Sequence, residues 1–541
     1  MSLISRISKH LLLLSARSAK YHSFTSLNSL RSEGYFANVL PQMSDGYLDD
    51  LEKDAELKAY CGFDPTADSL QLGNLVAFMG LLRLQAAGNN VIALIGEATS
   101  LIGDPTGQKE QRVSLGNEIY SSNSENFREQ FLKLQSNFEE QFLPNFRLSR
   151  DPGEFKIMNN MEWHKKQTLL DFLRFTANCV RYQELAHKES VKFREASGSG
   201  MSMHEFLYPM LQAYDFAYLY QCQSCNVQLG GNDQIGNIDT GIALIRRKLA
   251  ESAFGLTVPL LLAPDGTKVG KTTSNNPDDV IWLNPAKLRP FHFYQKLLNL
   301  PDKFMTPAFI KCLTFYSTEE IDTIMAEQKK HEIFQFVPFT KYNNPSRRPA
   351  QRAIAKEVTL LVHGAGYLQA SELASRVLYA SSSINTTQLH PMLALSEGLT
   401  PTERNFLVTC LAHYSAPTDG PLPVIHDKVP FDASPIDRLH EVLKSALSSG
   451  LDRGIGLSVE ERGLTLNGHC LLKPSAFAAP MKESCKDCKE RSCLRKKLAA
   501  LEPGVIEEAW KAADLATGFS ILQIGKRAAW FVVPFEKVRS F

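Results

Sequence analysis

No acidic residue precedes Glu33, no stretch approaches the roughly 18 unbroken apolar residues of a membrane-crossing helix, and 59 basic against 58 acidic side chains leave a formal net charge of only +1. The balanced charge excludes a uniformly basic coat for nucleic acid, so any such partner has to be gripped by local patches. The missing spanning run excludes a helical membrane protein, and the mature chain is expected to be soluble. The acid-free start also carries Arg6, Lys9, Arg17, Lys20 and Arg31, many serines and an apolar run of only Leu11 to Leu14. That composition suits a basic amphipathic transit peptide over residues 1–32, with the mitochondrial matrix as destination; a secretory signal needs a longer apolar core. A disordered tail would share the low structure but does not explain the missing acids.

Ten cysteines are present, and mitochondrial import favours reduced thiols over disulfides. Cys222 and Cys225 have C-x-x-C spacing but straddle a helix end and a strand start, which points to core packing. Cys485, Cys488 and Cys493 form C-x2-C-x4-C in a basic run, with His469 or Cys470 as fourth-ligand candidates. A second tight pair is lacking, so no protein-bound metal is expected.

A chain of 541 residues, 44% hydrophobic and 22% charged, can bury more than one core. Over residues 33–285, apolar runs such as LKAYCGF, NVIALIGEA and CNVQLGG alternate with helical patterns, which argues for a doubly wound parallel sheet of Rossmann-like type. Helical periodicity dominates residues 286–411. Pro417, Pro421, Pro423, Pro430 and Pro435 mark a linker over 412–440, and a small α+β domain is expected over 441–541.

YCGFDPTADSLQLGN reads as a strand, a turn at Asp64-Pro65 and a helix start near Gly73. Ligands in doubly wound sheets bind beyond the carboxyl ends of the strands, where helix N-termini offer free N–H groups to anions. The same residues also satisfy a plain N-capped turn. LIGDPTG places Asp104 at a second strand-end turn. Tyr208, Gln212 and Asp215, at i, i+4 and i+7, share one face of an otherwise apolar helix, and such a stripe is costly to bury unless it binds something. QLGGNDQIGN ends a strand with two glycines followed by Asp233 and Gln234, a pattern suited to ribose hydroxyls. DGTKVGKT adds Lys268, Lys271 and Thr272 in a glycine loop that fails the P-loop spacing.

In this order and spacing, YCGFDPTADSLQLGN, LIGDPTG, YPMLQAYDF, QLGGNDQIGN and KVGKT resemble the bacterial and mitochondrial type of tyrosyl-tRNA synthetase, a class I aminoacyl-tRNA synthetase family. RRPAQRAIAKEVTLLVHG resembles the family's helical anticodon-side domain, while GLTLNGHCLL and FSILQIGKRAAWFVV resemble its small RNA-binding C-terminal domain. The cysteine-rich basic stretch from Met481 to Lys497 has no counterpart.

The resemblance implies ATP, with Mg2+, as substrate, L-tyrosine and tRNA(Tyr) as partners, and a homodimer. It assigns Tyr60 and Asp215 to the substrate phenol oxygen, Asp104, Tyr208 and Gln212 to its amino group, and Gln234 to its carboxylate. Gly62, Asp64, Gly73, Arg112, Gly231 and Asp233 fall among the ATP-binding positions, with Lys268 and Lys271. Thr66, Gln71, Asn74, Lys268, Lys271 and Thr272 form the grip on the leaving pyrophosphate.

The family carries His-x-Gly-His where this chain has Gln71-Leu72-Gly73-Asn74, and a cation where Gln108 stands. Both amides are neutral donors able to stand in for imidazole nitrogens, so a retuned, slower and still active site is expected. A catalytically reduced relative that binds tRNA or structured RNA is the alternative, and an unrelated nucleotidyltransferase on the same sheet is a third reading.

Overall fold

The computed structural model describes residues 23–24, 27–41, 57–106, 115–196, 198, 200–261, 280–332, 348–379, 464–466, 469–472, 519–524 and 529–534. Six strands form the central sheet: β1 (Asn38–Leu40), β2 (Lys58–Phe63), β3 (Asn90–Ile95), β4 (Phe155–Asn159), β5 (Val227–Gly231) and β6 (Phe254–Val258). Their order is β1-β6-β5-β2-β3-β4. All neighbours run parallel except the edge pair β1 and β6, where Asn38 faces Thr257 and Leu40 faces Gly255. The expected all-parallel sheet therefore gains one antiparallel edge, built from a run too short to read in sequence. β3 and β6 are buried almost throughout, as strands covered on both faces must be.

From β2 the chain crosses to β3 on one side, while β5 lies on the other. That divergence makes a switch point, and the crevice beyond the carboxyl ends of β2 and β5 is where such a sheet binds ligands.

The helices that line this crevice or brace it are α1 (Leu72–Ala86), α2 (Asn117–Gln141), α3 (Tyr208–Gln223), α4 (Ile235–Leu249), α5 (Pro290–Leu298), α6 (Pro307–Leu313), α7 (Thr318–Glu332) and α8 (Pro349–His363). α1 starts straight after the DPTADS turn. Near its other end Arg83 is 2% exposed, and its guanidinium donates to the carbonyls of Lys311 (2.8 Å) and Thr314 (2.7 Å). The same group stacks 4.5 Å over the Tyr35 ring and 5.2 Å from Phe315. A buried cation is tolerated only with partners of this kind, and these tie α1 to the C-terminal end of α6. Asn137 on α2 donates to the Leu361 carbonyl of α8 at 2.8 Å. The chain from Met1 to Ile333, with Arg348 to Gly364, forms one compact unit.

A second unit contains α9 (Ala365–Tyr379) and a four-stranded antiparallel sheet. Its strands are β7 (Leu464–Leu466), β8 (His469–Leu472), β9 (Phe519–Ile524) and β10 (Ala529–Pro534), in the order β8-β7-β9-β10. Residues 1–22, the proline-rich linker and Cys485, Cys488 and Cys493 lie outside the described residues. Cys225 is buried, as core packing requires, but Cys222 is exposed; both are free thiols. No helix among the described residues is long and apolar enough to cross a membrane.

Candidate active site

α3 delivers the polar stripe to the crevice. Asp215 is 3% exposed, and the Asn-Met-Glu-Trp-His stretch after β4 converges on it. Oδ1 accepts the Trp163 indole N–H at 2.8 Å and lies 2.7 Å from His164 Nε2; Oδ2 accepts from Asn160 Nδ2 at 3.0 Å. A carboxylate oxygen accepts two hydrogen bonds, so Oδ2 keeps one open direction. Tyr60, from β2, is 1% exposed and packs 5.3 Å from the Phe216 ring. Its hydroxyl is buried without a hydrogen-bond partner. Burial, reinforced by the Asp215 charge, holds that phenol well above its ordinary pKa, so it stays a neutral donor. A hydroxyl-bearing ligand that donates to Asp215 and accepts from Tyr60 would satisfy both.

A second polar cluster gathers Asp104, Gln212 and Gln234. Gln234 Nε2 donates to Asp104 Oδ2 at 2.8 Å, and the Thr106 N–H donates to Asp104 Oδ1 at 2.9 Å. Gln212 Nε2 donates to Gln234 Oε1 at 3.3 Å. Tyr208 turns instead to the turn after β2, where its hydroxyl donates to Asp64 Oδ2 at 2.8 Å. Burial and the neighbouring Asp64 and Asp104 charges hold it protonated as well. Thr99 donates to Asp64 Oδ1 at 2.8 Å and accepts from Asn160 at 3.1 Å. Thus a hydrogen-bonded path joins Tyr208, Asp64, Thr99, Asn160 and Asp215.

Gly62 and Gly73 both face open space: a Cβ on either would meet nothing within 4 Å. At Gly231 a Cβ would lie 2.6 Å from Asp233 Oδ1, so the bare backbone lets that carboxylate fold back beside β5. The backbone N–H of Thr66 closes the turn onto the Asp64 carbonyl at 2.8 Å. Asn74 Oδ1 accepts the Gln71 backbone N–H at 2.9 Å. The oxygen of Asn74 is spent on capping α1, and only its NH2 remains to donate outward.

Leu70 and Leu72 exchange backbone hydrogen bonds with Leu283 and Ile281, and Trp282 bridges Gln71. Lys287 pairs with Asp68 and lies 4.1 Å over the Trp282 ring, which puts a further cation beside the QLGN box. Lys268, Lys271, Thr272, Gln108 and Arg112 lie outside the described residues. Asn74→Ala is expected to cost roughly 0.5–1.5 kcal/mol of stability through the lost capping-box hydrogen bond, measured by urea unfolding, in addition to any effect on rate.

Sequence reading missed Asn160, Trp163, His164 and Thr99, the groups that bond to Asp215 or Asp64. FKIMN is a strand beside NVIALI, and the rule that ligand groups follow strand ends would have directed attention to Asn160 and Trp163.

The crevice is Rossmann-like, with a carboxylate and a buried phenol at one end and bare glycine backbone at the other. Residues 52–380 match the family described as tRNA synthetases class I (W and Y), and the chain belongs to that family. It is 41% identical over 323 residues to the mitochondrial tyrosine–tRNA ligase of Homo sapiens, a match covering 60% of this chain and 63% of the relative. It is 38% identical over 363 residues to the tyrosine–tRNA ligase of Roseiflexus castenholzii, covering 66% and 76%. The C-terminally truncated mitochondrial tyrosyl-tRNA synthetase of Aspergillus nidulans superimposes with a TM-score of 0.56 at 29% identity, over 65% of this chain and 94% of that one. The chain thus spans less than two thirds of the human relative's length.

Proposed function

We propose that the chain activates L-tyrosine with ATP and transfers it to the terminal ribose of tRNA(Tyr). The observation that carries this reading is the unpartnered Tyr60 hydroxyl buried in the same pocket as an Asp215 carboxylate with one acceptor direction open. Phenylalanine would leave the buried Tyr60 hydroxyl unpaired and the open direction of Asp215 unfilled, whereas a phenol satisfies both. Tyrosine then sits with its ring against Tyr60 and Phe216, its amino group among Asp104, Tyr208 and Gln212, and its carboxylate toward Gln234.

ATP enters as its magnesium complex, with its ribose at Gly231 and Asp233 and its phosphates over Gly62, Asp64 and Gly73; Arg112 is assigned to the same nucleotide. The tyrosine carboxylate attacks the α-phosphorus in line and pyrophosphate leaves. No proton need move in this step, so rate comes from positioning and from donors on the departing phosphates. Thr66, Gln71, Asn74, Lys268, Lys271 and Thr272 are assigned to that grip. The catalytic domain is residues 33–285, followed by an anticodon-side helical domain (286–411), a linker (412–440) and an RNA-binding domain (441–541). A transit peptide over 1–32 would deliver the protein to the mitochondrial matrix, in keeping with relatives named mitochondrial.

Incubation of the purified protein with labelled tyrosine, ATP and tRNA(Tyr) tests the reading: tyrosyl-tRNA should accumulate. Tight tRNA binding without either adenylate or charged product would favour the RNA-binding alternative instead.

A homodimer is part of the same proposal. Between Leu169 and Met203, the side chains of Leu169, Leu170, Tyr182 and Met203 are 64–71% exposed, an unusual density of large apolar groups for a surface that stays wet. Leu170→Lys is expected to convert a dimer to a monomer in analytical ultracentrifugation. A native protein that sediments as a monomer at micromolar concentration would contradict it.

A further inference from the structure

Lys188 has no part in the roles above, yet it is wired to the substrate-facing amides. It lies between the short helices Tyr182–Ala186 and Glu189–Ala196. Its Nζ donates to the Gly236 carbonyl (2.7 Å), to Thr240 Oγ1 (2.8 Å) and to Asn237 Oδ1 (3.2 Å), all near the start of α4. Burial pushes its pKa down to about 8 against the attraction of Asp104, Asp239 and Glu184. An ammonium can only donate. Asn237 must therefore turn its oxygen to Lys188 and its NH2 inward, where it donates to Gln212 Oε1 and Gln234 Oε1, both at 3.1 Å.

The consequence propagates. The oxygen of Gln234 is filled by Asn237 and Gln212, so its NH2 faces Asp104. The proton of Tyr208 goes to Asp64, which leaves lone pairs on the phenol oxygen. Gln212 Oε1, bound once by Asn237, keeps a second lone pair, and Tyr208 Oη and the Asp104 carboxylate keep acceptor capacity as well; such acceptors are what an ammonium group needs. With the amides reversed, the NH2 of Gln212 would occupy that position and repel it.

We propose that Lys188 is a positioning residue that sets the direction of this amide relay through Asn237, so that the site selects a substrate carrying a protonated amino group. The inference rests on the tyrosine reading. Its test compares tyrosine with 3-(4-hydroxyphenyl)propionate, the same molecule without the amino group, by calorimetric titration of the full chain.

Native protein should prefer tyrosine. Lys188→Met should cut that preference by about tenfold or more, with affinity for the des-amino compound nearly unchanged. Asn237→Leu leaves the Lys188 bonds to Gly236 and Thr240 in place and should show the same loss. The double variant should lose no more than either single one, since both act on one path. Equal weakening of both ligands, an unchanged preference, or additive losses would overturn the inference and leave the tyrosine reading standing. Native protein that binds neither ligand would overturn that reading and this inference with it.

Discussion

Asp215→Ala is expected to lower kcat/KM for tyrosine by about a hundredfold or more while the Kd for ATP stays close to native. The substrate hydroxyl loses its acceptor, and the Asn160, Trp163 and His164 donors that converge on the carboxylate are stranded in a buried pocket. Stranding them should also destabilise the fold, by roughly 1–3 kcal/mol for each donor left unpaired, so activity alone would be ambiguous. Asp215→Asn separates the effects. Its oxygen can still take Trp163 and His164, but its NH2 confronts the NH2 of Asn160 and the substrate hydroxyl. The Asn variant should unfold closer to native in a thermal scan and still lose tyrosine use. Native turnover in a folded Asp215→Asn protein would exclude the carboxylate as the phenol acceptor.

Gly96→Ala should have the next largest effect, from a position that no polar motif marks. A Cβ there would stand 2.1 Å from Asp64 Oδ1 and 2.6 Å from Thr99 Oγ1. Gly96 φ is −84°, so alanine meets no backbone penalty, only this collision. Asp64 must move, breaking its bonds to Thr99 and Tyr208 and loosening the hydrogen-bonded path across the crevice. A displacement of about 1 Å at a reacting centre can cost on the order of a hundredfold in rate. Gly62→Ala is the contrast, since its Cβ meets nothing within 4 Å in the protein. That variant should keep native stability and lose ATP affinity. Pre-steady-state adenylate formation reads both; a Gly96→Ala rate within twofold of native would show that Asp64 need not hold its place.

The parts of the fold legible in sequence were those written in short-range pattern. Strands β2, β3 and β5 are apolar runs followed by turn residues, and the Tyr208, Gln212, Asp215 stripe follows from helical spacing alone. Edge strand β1 is three residues long and takes its conformation from pairing with β6, a contact more than 200 positions away. The partners of Asp215 escaped for the same reason: Asn160, Trp163 and His164 meet it only because β4 and α3 converge on one crevice. Lys188 sits in a run, HKES, that reads as solvated surface; its burial depends on α4. Asn74 was read as a donor near phosphate; its oxygen is committed to the helix cap, a second task set by the backbone geometry at Gln71, and its NH2 stays available to donate.

The central claim is that the Tyr60 hydroxyl and the Asp215 carboxylate together recognise a phenol. The most direct measurement is the ratio of kcat/KM for tyrosine to that for phenylalanine in ATP–pyrophosphate exchange, on native protein and on Tyr60→Phe. The Tyr60 hydroxyl left unpaired and the hydrogen bond to the Asp215 carboxylate forgone with phenylalanine, at about 1–3 kcal/mol each, give a native ratio of at least about thirty, and Tyr60→Phe should reduce that ratio by removing the first of them. Equal use of tyrosine and phenylalanine by the native protein, or a ratio untouched by Tyr60→Phe, would contradict it.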